Sequence, residues 1–158
     1  MGLDMCLYAK VYLSKYSNDS EIINARNAVS NIKIKGLPSD CSTEYLDFLV
    51  IYWRKANAIH NWFVQNVQDG EDDCGYHDCG YNELASLLKI INTILNEDDA
   101  EQQKALAEQL LPPQSGFFFG DTEIDDWYFE DLNNTACKLE ALLAERNDNM
   151  WFVYHSSW

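Results

Sequence analysis

Leu3, Met5, Leu7, Ala9, Val11 and Leu13 alternate without a break with residues of other kinds. Side chains that flip sides at every step put all six on one face, so residues 3–13 are expected to form a strand with one buried face. The intervening Cys6, Tyr8, Lys10 and Tyr12 make the opposite face largely aromatic. The closing "MWFVYHSSW" is again aromatic and β-branched, and the two ends are expected to pair in one small antiparallel sheet.

Between the ends the period becomes helical. "DSEIINARNAVSNI" offers a cap at Asp19 or Ser20 and is broken by Gly36 and Pro38. "YLDFLVIYW" reads as a strand ending near Tyr52. "WRKANAIHNWFVQNVQ" then places Trp53, Ala56, Ile59, Phe63, Val64 and Val67 on one helical side, with Arg54, Asn57, Asn61, Gln65 and Gln68 in an adjacent polar stripe. His60 falls inside the apolar stripe. "DGEDDCGYHDCG" reads as a turn-rich loop, followed by a helix carrying Leu84, Leu87, Leu88, Ile91, Ile94 and Leu95 on one face. "EDDAEQQKALAEQLL" is a further helix, stopped by Pro112 and Pro113. A last helix runs from Ile124 to about Arg146, with Thr122 and Asp125 at capping-box spacing. The expected fold is α+β: a small antiparallel sheet joining the N- and C-terminal strands, covered by four to five helices in a single domain, residues 1–158.

The net charge of −15 is unevenly spread. Residues 1–68 hold 7 bases and 6 acids, residues 69–131 hold 2 and 17, and residues 132–158 hold 2 and 3. Such a middle repels nucleic acid and anionic membrane, and it speeds encounter with a partner that has a basic surface. The bland reading is solubility. No apolar run is long enough to span a bilayer, and Asp4 stands where a signal peptide wants a basic region, so a cytoplasmic protein is expected. The five cysteines lack framework spacing and are expected to be reduced thiols.

The stretch "QSGFFFGDTEIDDWYFEDL" joins three phenylalanines to Asp121, Glu123, Asp125, Asp126, Glu130 and Asp131. A phosphate at this helix start would meet several carboxylates, each repulsion of order 1 kcal/mol, so a phosphate cradle is rejected here. The carboxylates are expected to form an outward, partner-binding surface, with Trp127 and Tyr128 anchoring the helix to the core. Phe117, Phe118 and Phe119 are either core or a ring platform for a base or partner side chain. Arg54, Asn57 and His60 form the other candidate ligand site, where a guanidinium and an amide converge on an anion. A histidine in an apolar stripe is more often a core residue than a general base. Cys74, His77 and Cys79 lack the second ligand pair of a structural zinc site, and no metal or other cofactor is assigned. Nucleophile elbow, P-loop, dinucleotide and zinc-protease motifs are all missing, so no catalytic residue is assigned.

"MGLDMCLYAK", "YWRKANAIHNWF", "LLPPQSGFFFGDTEIDDWYFEDL" and "YHSSW" together resemble a family of small proteins encoded by bacteriophages and prophages. The resemblance spans nearly the whole chain, with residues 17–45 and the cysteine loop least alike. It implies an accessory factor that binds a component of the bacterial host, in an anti-defence or DNA-mimic role, rather than an enzyme. It brings no catalytic residue with it, and family members carry Tyr at the positions of Cys6 and Ile124. The alternative is a protein that binds or sequesters a nucleotide-type small molecule around Arg54, Asn57, His60 and residues 117–119. A small hydrolase using His60 and an acid of residues 121–126 is a more remote reading.

Overall fold

The computed structural model describes residues 2–158. Nine elements follow one another along the chain: β1 (Asp4–Tyr12), α1 (Ser20–Ser30), β2 (Tyr45–Arg54), α2 (Asn57–Asn66), β3 (Tyr76–Cys79), α3 (Tyr81–Leu95), α4 (Ala100–Leu110), α5 (Asp126–Leu143) and β4 (Met150–Ser157). The strands form one sheet in the order β2-β1-β4-β3. Every neighbouring pair is antiparallel, and the two end strands β1 and β4 lie side by side at its centre. The fold is α+β, as the alternation at the ends predicts.

The period of two sorts the sheet into two faces. Met5, Leu7 and Ala9 of β1 stand in register with Ser156, Tyr154 and Phe152 of β4 and are buried with them. The helices cover this inner face: Phe63 of α2 stacks on Tyr154 at 3.9 Å, and Tyr81 of α3 meets Phe152 edge-on. Trp53 of β2 donates its indole N–H to Thr135 of α5 at 2.7 Å. Leu84, Leu87, Ile91 and Ile94 of α3 are fully buried, and truncating any one of them to Ala would cost about 2 to 5 kcal/mol. On the outer face Cys6, Tyr8 and Lys10 are half-buried, while Tyr12, Tyr45 and Tyr52 are exposed.

Three local expectations need correction. β2 runs on to Arg54, so Trp53 and Arg54 are strand residues and the helix begins only at Asn57. Lys55 makes the corner between them with φ 61°, a conformation held by its N–H bonding Leu3 O and its carbonyl accepting from Asn57 N. The loop at 69–80 contains the short edge strand β3, which a four-residue run among turn formers does not announce. Thr122 does not cap α5. Asp125 does, accepting from the N–H groups of Trp127 and Tyr128, because a carboxylate at the position immediately before the helix outcompetes a hydroxyl three residues farther out. Among the described residues no helix is long and apolar enough to cross a membrane.

Candidate functional site

Asn57 is the hinge of the site. It opens α2, is buried, and donates through Nδ2 to the carbonyls of Phe119 at 3.1 Å and Asp121 at 2.6 Å. Its Oδ1 accepts from Gln114 N at 3.3 Å. One side chain thus staples both ends of the GFFFG loop to the start of α2. Two glycines make the loop possible for different reasons. A Cβ at Gly116 would come within 2.5 Å of the Phe119 ring, so its absence lets that ring fold under the loop. Gly120 takes φ 87°, and a Cβ there would lie 3.2 Å from the Lys55 stem.

The three phenylalanines consequently part ways. Phe119 is buried and meets His60 edge-on at 5.1 Å; Phe118 is half-buried; Phe117 is 94% exposed. They do not form one platform. Asn57 spends its polar atoms on backbone, and Asn61 reaches Pro112 O at 3.3 Å, so neither amide is free to join Arg54 in holding an anion. Arg54 itself is on the strand rather than on their helical edge.

His60 is fully buried. Its Nδ1 lies 2.7 Å from the Tyr154 hydroxyl and its Nε2 lies 3.1 Å from Asp72 Oδ1. The second approach is close enough for charge attraction but is not aligned as a hydrogen bond, so Nε2 is left without a well-directed partner. Burial lowers the imidazole pKa below its ordinary value, and Asp72 offsets part of that effect. Asp72 also accepts from the Trp158 indole at 3.2 Å, joining the end of β4 to the cluster. The histidine's carboxylate partner is therefore Asp72, not an acid of residues 121–126, and its surroundings are core.

The cysteine loop does not converge on a point. His77 bonds Asp73 at 2.7 Å, Cys74 is exposed, and Cys79 is buried, its thiol pushed up to about 12 by loss of water. Among the described residues no three His, Cys, Asp or Glu side chains are grouped to hold a metal ion.

What the fold does bring together are the two halves that the sequence presents as separate candidates. Arg54 and Lys55 at the β2–α2 corner line a cleft of about 600 Å³ with Asp121, Glu123, Asp125, Glu130 and Asp131 from the start of α5. Asp126 lies outside that lining. Among the described residues neither Arg54 nor Lys55 makes an ion pair, and the lining holds five carboxylates against these two cations, an excess of negative charge. Asp131 has a pKa raised to about 6, chiefly by burial and further by Glu130 and Asp125. Trp127 also lines the cleft and is 74% exposed, against the expectation that it anchors the helix. The anchor is its neighbour Tyr128, buried and donating to Leu111 O at 2.9 Å; one 100° step around the helix separates the two fates. The chain matches no family model, no curated protein and no solved structure.

Proposed function

We propose that this protein is a non-enzymatic accessory factor, of the phage kind it resembles, that captures a basic segment of a host protein in the acidic cleft between the β2–α2 corner and the start of α5. The observation that carries the reading is a cleft lined by five carboxylates with an exposed Trp127 beside them. An exposed indole in a cleft is a typical anchor for a partner, because it offers a large apolar area and a cation-binding ring at small entropic cost. Among the described residues no three carboxylates are grouped tightly enough to hold a metal ion, which suits the several cations of a chain bearing Lys and Arg better than a single bound ion. Concavity favours a basic segment entering the cleft over this protein filling a basic groove as a DNA mimic. A phosphate-bearing ligand beside Arg54 would face the same five carboxylates, which disfavours the nucleotide alternative.

Affinity capture from host lysate tests the reading. Wild-type protein should retain a basic protein at low ionic strength and release it steeply as salt rises. The double variant Glu123→Gln, Glu130→Gln removes two cleft charges that make no cap and should retain at least tenfold less. The reading is wrong if wild type retains no basic protein, or if the variant retains as much.

A further inference from the structure

The two edges of the sheet differ in kind. β3, at one edge, has four residues between Gly75 and Gly80 and is too short to template a further strand. β2, at the other, runs for ten residues, YLDFLVIYWR, without proline, glycine or lysine. Among the described residues the backbone of β2 bonds β1 alone, so its outer row of N–H and C=O groups is unpaired. Phe48, Leu49 and Tyr52 along it are 51%, 54% and 47% exposed. A long apolar edge of this kind is a template for another strand.

The side chains of β2 specify which strand. Its pairing with β1 shifts between Leu7 and Tyr8, where Val50 is the extra residue of a bulge. Val50 and Ile51 both pack on the core, and Phe48 and Trp53 stand beside Ala9 and Met5 of the inner face. Asp47, Leu49, Tyr52 and Arg54 stand beside Lys10, Tyr8, Cys6 and Asp4 of the outer face. From Asp47 to Val50 the faces therefore read outer, inner, outer, inner, and from Ile51 to Arg54 the same order runs in reverse.

A second copy laid antiparallel about a two-fold axis through the Val50–Ile51 peptide sets Leu49 opposite Tyr52 and Phe48 opposite Trp53, like face against like. It also sets Asp47 of each copy opposite Arg54 of the other. Neither side chain has an ion pair among the described residues. Within its own sheet Asp47 neighbours Lys10, and Arg54 neighbours Asp4. Across the joined strands the outer face then reads Lys10, Asp47, Arg54 of the second copy and Asp4 of the second copy, alternating in sign throughout. A partner strand without the bulge would match one half of β2 and present the wrong face to the other.

We propose that β2 is a homodimer interface, where antiparallel β2–β2 pairing joins two four-stranded sheets into one of eight strands. Residues 1–68, with 7 bases and 6 acids, carry no excess of acid, so this edge meets its copy without the repulsion that the middle of the chain would bring. The edges that remain are the two short β3 strands, and assembly stops at two. The inference does not depend on the cleft reading, although Arg54 borders the cleft as well.

Sedimentation velocity of the full chain tests this in about 0.15 M salt, where charges beyond roughly 8 Å are screened. Wild type should pass from monomer to dimer, and no further, as concentration rises. Asp47→Arg and Arg54→Asp each set like charges opposite one another twice and should weaken dimerisation at least tenfold, as should Leu49→Lys at an exposed position. An equimolar mixture of Asp47→Arg with Arg54→Asp should dimerise again, because each chain supplies at both pairs the sign the other lacks. A wild type that stays monomeric up to about 1 mM, a dimer untouched by Leu49→Lys, or a mixture no more associated than its separate components would overturn the proposal. Should either charge variant fail to fold, wild type and Leu49→Lys still decide it.

Discussion

The Tyr154 hydroxyl and His60 Nδ1 lie 2.7 Å apart with neither side chain accessible to solvent. The bond ties the central strand β4 to α2 from within, and Phe63 stacked on the same tyrosine closes the space around it. Removing the hydroxyl leaves a buried ring nitrogen without its partner. Tyr154→Phe is therefore expected to cost about 1 to 3 kcal/mol in urea unfolding at pH 7.

The same histidine sets an acid-side trend. Burial holds its folded pKa below its unfolded value, so the neutral ring favours the folded state at pH above about 6.5. That contribution falls away as pH drops through the depressed folded value, where protonation has to occur next to Asp72 in the core. Wild type should lose more stability between pH 7 and pH 5 than His60→Gln. Parallel pH profiles for the two proteins would refute the assignment.

Asp131 has the opposite sign. Its folded pKa, about 6, stands above the ordinary value of 3.8, so the fold favours the protonated acid. The penalty for charging it is absent below about pH 4 and complete above about pH 6. Asp131→Asn should accordingly raise unfolding free energy at pH 7 by roughly 1 to 2 kcal/mol, and the gain should vanish at pH 4. Thermal melts at the two pH values read both outcomes, and a gain of equal size at each would point to packing instead.

Asn57→Ala removes three hydrogen bonds that hold residues 114–121 against α2. At about 1 kcal/mol for each bond, a loss of roughly 2 to 4 kcal/mol is expected. Amide exchange at Phe119 and Gly120 should quicken more than exchange in α3, because the loop loses its staple while the far core does not. Uniform quickening would mean that Asn57 supports the whole fold and not this loop.

How far the sequence announces these features depends on whether a signal is periodic. The strict alternation of residues 3–13 is visible because half-burial of a strand imposes a period of two, and the leucine face of α3 is visible for the corresponding helical reason. The corner at Lys55 is hidden: a non-glycine residue at positive φ carries no compositional mark, so Arg54 reads as helical when it is the last residue of a strand. β3 is hidden because its four residues pair only with β4, a partner 79 positions away at Tyr76↔His155. The cleft is half legible. Its acids are consecutive enough to be seen as a cluster, but their approach to Arg54 and Lys55 depends on Asn57, whose role is to bond backbone and not to meet a ligand.

Trp127 and its neighbour Tyr128 carry the sharpest test of the cleft. A tryptophan at the start of an amphipathic helix beside Ile124 and Leu132 looks like a core residue, and truncating a core tryptophan costs about 3 to 5 kcal/mol. Here the indole is mostly in solvent, so Trp127→Ala is expected to change stability by less than about 0.5 kcal/mol. Tyr128→Ala, which loses a buried ring and its bond to Leu111 O, should cost the larger amount. If the cleft takes a basic segment, Trp127→Ala should nonetheless weaken capture of that partner strongly, and Glu130→Gln should weaken it too. Asp126→Asn, one residue before the tryptophan but outside the cleft, should weaken it little. Equal effects of the Glu130 and Asp126 replacements would mean that only total charge matters, and the cleft would lose its claim to be the binding site.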